Sequence, residues 1–148
     1  MSKTLWVRVG ILALITVPLA AQRGSTIGVR PVATVKQLHD ALITPASDAV
    51  FRAAGESPEN AKAWDAARNQ ALVLAEAGNL LMLGSRARDN AGWMKMSRAL
   101  VDAAAIAAAA AEKKDAKALG GAGDSITVAC MACHQPYRDR GRQMGAPK

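Results

Sequence analysis

ITVACMACHQPYR, residues 126–138, is the stretch around which the rest of this chain is organised. Within it, the run CMACH (residues 130–134) has the Cys-x-x-Cys-His spacing at which a c-type haem is attached. Cysteines three residues apart share one helix face, so Cys130 and Cys133 can form thioethers with the vinyl groups along one haem edge. His134 follows Cys130 by four residues on that face, where its imidazole can bind iron as the proximal ligand. The stretch therefore predicts one covalently attached haem c.

Two other kinds of site use the same residue types. A redox-active C-x-x-C dithiol is expected near a βαβ pattern, and this sequence has no strand pattern. A structural zinc site takes about four ligands, and beyond the motif the chain offers only His39 as a further histidine. Both observations favour haem over a dithiol or a zinc site.

Composition indicates a single all-α domain. The 148 residues match one ordinary domain, and the chain is 51% hydrophobic but only 3% aromatic, with alanine dominant. Such a composition suits closely packed helices rather than a sheet, which is enriched in β-branched and aromatic residues. With so few large side chains, a haem among the helices would supply much of the missing apolar volume.

The amino-terminal segment resembles an export signal. Lys3 and Arg8 make a basic start, and residues 9–19 form an apolar run of the usual length. We expect residues 1–21 to be a signal peptide, cleaved after Ala21, although Leu19 is not the usual small residue near the cut. The apolar run is shorter than the roughly 20 residues that span a bilayer, so no stable membrane insertion is expected after cleavage. Export to the periplasm agrees with haem attachment on the oxidising side of the membrane.

The net charge of the chain indicates which classes of partner it suits. The chain has a formal net charge of +7, and loss of the two basic residues of the signal leaves 17 basic and 12 acidic residues, or +5. Two haem propionates would lower this to about +3. A mildly basic surface suits an acidic redox partner protein or an anionic membrane face. The sequence lacks the basic stripe with interleaved aromatic residues that is typical of nucleic-acid binding.

Four amphipathic segments follow a linker that covers residues 22–33. Apolar residues recur at helical spacing over about 34–54, 57–84, 90–113 and 115–138. The predicted inward faces are, in chain order, Val35, Leu38, His39, Leu42, Ala46, Ala49 and Ala53; Trp64, Ala67, Ala71, Leu74, Gly78 and Leu81; Trp93, Met96, Leu100, Ala103, Ile106 and Ala110; and Leu119, Ala122, Ile126, Ala129, Cys130, Cys133 and Tyr137. Met94 is expected nearer the surface.

Local features predict where these helices begin, bend and end. Pro45 should kink the first helix, because proline lacks the backbone donor and clashes with the preceding turn. Ser57-Pro58 is expected to open the second, and Gly78 to allow a close helix contact. Asp115 should cap the fourth, whose glycines within 120–123 are expected to fray or break its first turns. Residues 139–148 are expected to form a flexible tail.

Four helices with this motif near the carboxyl end resemble the class II c-type cytochromes, the cytochrome c-prime family. The resemblance covers residues 34–138 and is most specific at Cys130-x-x-Cys133-His134-x-x-Tyr137-Arg138; Pro136 departs from it and should end the helix soon after His134. It implies an antiparallel up-down-up-down bundle, a proximal histidine ligand and a distal face formed by the first helix. The family often dimerises, so a homodimer is possible.

The family has two branches that differ at the distal position. One places an apolar residue there and leaves five-coordinate iron that binds NO or CO, whereas the other places methionine there and carries electrons. None of the six methionines of this chain lies in the first helix, but His39 does, on the apolar face. The start of the first helix lies beside the end of the fourth in an antiparallel bundle. We therefore predict His39 as the distal ligand or a distal-pocket residue; the alternative is a histidine pointing to water.

Other residues of the motif receive milder assignments. Tyr137 should pack against the haem or a neighbouring helix, and Arg138 should pair with a propionate or be exposed. Met82 is a weaker candidate distal ligand than His39.

The predicted function is single-haem electron transfer, closer to the low-spin branch of the family. A gas-binding protein for NO or CO is the alternative, if His39 is absent from the iron or displaceable. No enzymatic activity is expected, since a peroxidase-like reaction would need an open distal site with a positioned acid–base group.

Overall fold

The computed structural model describes residue 28 and residues 30–139, and this part of the chain contains four long helices and no strand. Helix α1 spans residues 35–56 and comprises α-helical Val35–Leu38, π-helical His39–Ile43 and α-helical Thr44–Glu56. Helices α2, α3 and α4 span Ala61–Leu81, Gly92–Glu112 and Ala116–His134. A 3-10 turn, Gly84–Arg86, lies between α2 and α3, and a π turn, Gln135–Asp139, follows α4. The predicted signal peptide and residues 140–148 of the predicted tail lie outside the described residues.

The four helices pack as a closed ring. Each consecutive pair is in contact, and α1 also contacts α4. The end of α2 lies against the start of α3, where the Trp93 indole donates a 2.8 Å hydrogen bond to the Leu81 carbonyl. The start of α1 lies against the end of α4, where the rings of His39 and His134 meet. The prediction of an all-α fold with four helices is confirmed.

The core between the helices is built mostly of alanine. Thirteen of the buried apolar residues are alanines, and larger buried side chains such as Leu74, Leu119 and Ile126 are spaced between them. The closest helix contact lies at Gly78 of α2, where a β-carbon would stand 2.8 Å from Cγ2 of Val101 on α3. The predicted face of α2 is buried throughout, and the close approach expected at Gly78 is confirmed.

The predicted face of α1 is wrong at Leu42. This side chain is 37% exposed, whereas Ile43 is 4% exposed and takes its place in the core. The reason is the π turn at His39–Ile43, which inserts one extra residue into the turn and shifts the later residues around the helix. The turn directly precedes Pro45, which lacks the amide that an α-helical turn would use there. The expected disturbance at Pro45 therefore takes the form of a π turn.

Helix α3 also departs from its predicted face. Ile106 is 56% exposed and Ala107 is fully buried, while Met94, expected nearer the surface, packs against the core. Alanines of this helix lie on nearly all of its faces, so spacing alone does not decide which of two adjacent apolar residues turns inward.

The helix boundaries follow capping chemistry. Helix α2 starts after Asn60, whose side-chain oxygen accepts a 3.0 Å hydrogen bond from the Ala63 amide, and not at Ser57-Pro58 as predicted. Ser57 instead has a φ of 56° and closes α1 by bonding back to the Ala53 carbonyl. Asp115 caps α4 as predicted, with Oδ1 2.9 Å from the Ala118 amide nitrogen.

Helix α4 is continuous through its glycines, so the predicted break within residues 120–123 is wrong. Packing of this helix against α1 and α3 offsets the weak helix propensity of glycine. At its other end the α-helix stops at His134, as the position of Pro136 predicts. Among the described helices, none combines the length and the apolar character needed to cross a bilayer.

Arg86 joins the segment before α1 to the end of α2. Its side chain is 7% exposed, and it donates hydrogen bonds to the carbonyls of Ala33 at 2.9 Å and Leu80 at 3.2 Å. One guanidinium thus bonds to carbonyls of two separate segments, and the Leu80 carbonyl also accepts the Leu83 amide at 3.4 Å. This contact fixes the chain entering α1 over the α2–α3 connection.

Candidate cofactor site

Both histidines and both cysteines lie at one end of the bundle. The imidazole rings of His39 and His134 have centroids 5.8 Å apart with planes inclined by 43°. Cys130 and Cys133 line the same interior cavity of about 80 Å³ as the two rings. The sequence-predicted neighbourhood of His39 and His134 is confirmed, whereas iron ligation by either residue stays a prediction.

His39 is held in an orientation suited to a metal ligand. Its Nδ1 lies 3.1 Å from the Val35 carbonyl oxygen, one turn earlier. If Nδ1 carries the proton and donates to that carbonyl, Nε2 is left as the free lone pair. Histidine ligands in metal sites commonly donate their second ring N–H to a backbone carbonyl in this way. His39 also stands at the start of the π turn, a conformation that recurs at functional sites.

His134 has a different second partner. Arg138 donates a hydrogen bond from Nη1 to His134 Nδ1 at 2.9 Å. This contact places the proton of the neutral ring on Nε2, so binding a metal through Nε2 would require loss of that proton or release of Arg138. Burial, the charge of Arg138 and the His39 ring lower the pKa of His134, in that order, while Asp139 opposes them. The lowered pKa favours the neutral ring that metal binding needs.

The two cysteines are free thiols of intermediate exposure. Burial raises the pKa of both, and for Cys133 the neighbouring Cys130 raises it further. At neutral pH the thiols are therefore protonated. Thiolate is the form that attacks disulfides, so this environment disfavours dithiol chemistry at neutral pH.

A larger cleft opens from the histidine pair toward solvent. Its volume is about 550 Å³, within the roughly 300–1,000 Å³ range of small-molecule and cofactor sites. Its lining includes His39, Cys133, His134, Trp93 and Tyr137, together with the basic residues Lys36, Arg88 and Arg138. The interior cavity of about 80 Å³ is too small for a porphyrin.

Tyr137 fixes the end of α4 against the start of α3. Its ring meets the Trp93 ring edge-on at 5.0 Å, and its hydroxyl donates a hydrogen bond to Asp89. Asp89 also accepts hydrogen bonds from the amides of Ala91 and Trp93, at the start of α3. A β-carbon at Gly92 would stand 2.7 Å from the Tyr137 hydroxyl oxygen, so glycine allows this approach. Of the two predicted contacts for Tyr137, packing on a neighbouring helix is confirmed.

The same hydrogen bond perturbs both partners. It is the largest cause of the lowered pKa of Asp89 and of the raised pKa of Tyr137. Arg138 is exposed and lies 2.7 Å from Asp139, in agreement with the exposed alternative for this residue.

Several residues of the site were not singled out from the sequence. Met96, predicted as plain core, and Ser97 line the cavity beside the histidines, and Asp89 belongs to the α3 cap. Asp89 directly precedes the predicted start of the third helix at about residue 90, a capping position that could have identified it, whereas the observed helix starts at Gly92. No periodicity marks a serine as a wall of a cavity. Met82 follows the last residue of α2 and is not among the residues of either cavity wall.

The donor set suits haem better than a bare metal ion. Among residues 30–139, no group of three or more His, Cys, Asp or Glu side chains converges to hold a metal ion. Haem iron needs only axial ligands from the protein, because the porphyrin supplies the others. Cys130, Cys133, His134 and His39 would hold the group, with the cleft around it.

Comparison with known proteins identifies no relative: no family model, no curated protein and no solved structure matches this chain.

Proposed function

We propose that this chain is an exported, single-haem electron-transfer protein of the class II cytochrome type, working in the periplasm. The observation that carries the proposal is the meeting of the Cys-x-x-Cys-His motif with His39 across one cleft. When bound, the haem would supply a one-electron ferric–ferrous couple. Binding and orienting the haem are the roles of the protein's own side chains.

In this proposal Cys130 and Cys133 would hold the cofactor through thioethers to its two vinyl groups. His134 would bind the iron as the proximal ligand and His39 as the distal ligand. The Val35 carbonyl orients His39, and the contact of Trp93 with Tyr137 holds the end of α4 in place.

Two strong axial ligands would leave little to rearrange on electron transfer, because low-spin iron changes its surroundings little between oxidation states. Bis-imidazole ligation should also give a lower potential than histidine–methionine ligation, which raises it. Lys36, Arg88 and Arg138 border the cleft together with one carboxylate, Asp40, with which Lys36 forms an ion pair. The remaining excess of positive charge suits the propionates and an acidic redox partner protein.

A gas-binding function for NO or CO is the second candidate. The observation that favours it is the direct contact of the two imidazole rings, since a porphyrin must part them to enter. If His39 moves away instead of ligating, the iron keeps an open distal position.

Covalent attachment is tested by mass spectrometry of the exported protein after acid–acetone extraction. The expected protein mass includes roughly one haem, and the Cys130→Ala, Cys133→Ala double variant is the control that should release it. Haem that leaves the wild-type chain with the organic phase would refute the thioether assignment.

A further inference from the structure

The interior cavity on the inner side of the histidine pair has a polar wall. Three hydroxyl residues, Ser47, Ser97 and Thr44, line it together with both histidines, both cysteines and apolar residues of all four helices. Its volume of about 80 Å³ exceeds the roughly 10–15 Å³ that one water molecule needs, and falls short of a roughly 150 Å³ cavity that binds benzene. The space therefore suits a few very small molecules.

Ser97 presents an unpaired hydroxyl group at this cavity. Its side chain is 1% exposed, and among the described residues its Oγ has no hydrogen-bond partner. A helical serine or threonine can bond to the carbonyl four residues earlier. Ser125 and Thr127 do so in α4, at 3.0 and 3.1 Å. Ser97 does not. Because burying a polar group without a hydrogen-bond partner costs free energy, we expect a molecule in the cavity to bond to this hydroxyl group.

Ser47 supplies a second polar group on the same wall. It is 8% exposed, and its Oγ donates a 3.0 Å hydrogen bond to the Thr44 carbonyl. A hydroxyl that donates its one proton still offers lone pairs as acceptors. Ser97 can donate and Ser47 can accept, and Thr44, which also lines the cavity, adds a third hydroxyl group. Buried water typically makes about three hydrogen bonds, and this wall can supply them.

We propose that Ser97 and Ser47 bind ordered water in this cavity, and that this water lowers the reduction potential of the adjoining haem. The first statement stands on the cavity and the unpaired hydroxyl, whereas the second rests on the proposed function. Polar groups beside a haem stabilise the more highly charged ferric state, and the polarity around a metal site tunes its potential. Ser97 acts on the iron through water and is a positioning residue.

The water site is tested on the isotope-labelled protein in its diamagnetic ferrous form. Nuclear Overhauser contacts should connect long-lived water to the backbone amides of Ser97 and Ser47. Ser97→Val, which removes the donor and fills space, should abolish the contact at residue 97. Ser125→Ala is the matched control, because its hydroxyl bonds within α4 away from the cavity, and it should leave the contacts unchanged.

Thermal unfolding of Ser97→Ala gives a second measurement on a milder variant. If the hydroxyl binds water, the variant should melt at a lower temperature than wild type. An unpaired buried hydroxyl gives the opposite sign, because its removal relieves a desolvation cost. A higher melting temperature, or no long-lived water beside Ser97 in wild type, would overturn the site.

The potential is measured by spectroelectrochemistry of the haem-loaded variants. Ser97→Val should raise the potential while haem content and axial-ligand spectrum stay those of wild type, and Ser125→Ala should not. An unchanged potential in Ser97→Val, with the water lost, would overturn the tuning role. Protein that carries no haem would contradict the proposed function instead, and the water measurement on it would still test the cavity.

Discussion

Trp93→Phe should destabilise the end of the bundle that carries the site by more than the loss of side-chain volume alone explains. Trp93 is 3% exposed, donates a 2.8 Å hydrogen bond to the Leu81 carbonyl and meets Tyr137 edge-on. Phenylalanine keeps an aromatic ring but leaves the Leu81 carbonyl without this donor. An unpaired buried acceptor costs about 1–3 kcal/mol, and the smaller ring loses about a further 1–2 kcal/mol of packing. The expected total is roughly 2–5 kcal/mol.

Trp64→Phe is the control for the lost volume. Trp64 is 8% exposed in the same core, and its indole makes no hydrogen bond within residues 30–139. It should therefore cost only the packing part, about 1–2 kcal/mol. Urea unfolding followed by circular dichroism separates the two variants. At a slope of about 2 kcal/mol per molar, the midpoint of Trp93→Phe should fall about 1 M below that of Trp64→Phe. Equal midpoints would refute the assigned role of the Leu81 hydrogen bond.

Three further changes test the packing and the charges around the site. Gly78→Ala should destabilise by about 1–2 kcal/mol in urea unfolding, because the new methyl group overlaps Val101 by more than the gain in helix propensity repays; a stabilised variant would contradict the close contact. Tyr137→Phe should destabilise at pH 7 and less at pH 3. The reason is that Asp89, with its pKa lowered from 3.8, contributes stability above that ordinary value and loses it as pH falls through the lowered one; an equal effect at both pH values would count against the pair. Arg138→Gln should lower the haem potential by on the order of tens of millivolts, because it removes a cation beside the proximal imidazole; a raised potential in voltammetry would be the opposite of this reasoning.

Helical periodicity predicted the buried faces of α2 and α4 well because their apolar stripes are narrow. Large residues such as Trp64, Leu74 and Leu81 recur at steps of three and four, with polar residues between them. The same reasoning failed at Leu42 and Ile106 for different reasons. A π turn adds a residue that no periodic pattern contains, and an alanine-rich helix has too little contrast between its faces.

The part of the candidate site that depends on the order of the helices along the chain was predictable from the sequence. The meeting of His39 with His134 follows from antiparallel helices of similar length, whose first start and last end share one side of the bundle. What depends on side-chain packing was not predictable from spacing. The cavity beside Ser97, the contact of Arg138 with His134 and the Asp89–Tyr137 pair all arise from distances between helices that the sequence does not express.

The spin state of the iron tests the central claim, that His134 and His39 together bind one haem. Absorption spectra of the ferric and ferrous protein, recorded with and without CO, distinguish six-coordinate low-spin iron from five-coordinate high-spin iron in one experiment. The wild type should be low-spin in both states and bind CO slowly or not at all. His39→Ala should become high-spin or water-ligated and bind CO readily. A high-spin wild type, or a spectrum that His39→Ala leaves unchanged, would contradict distal ligation by His39 and favour the gas-binding function.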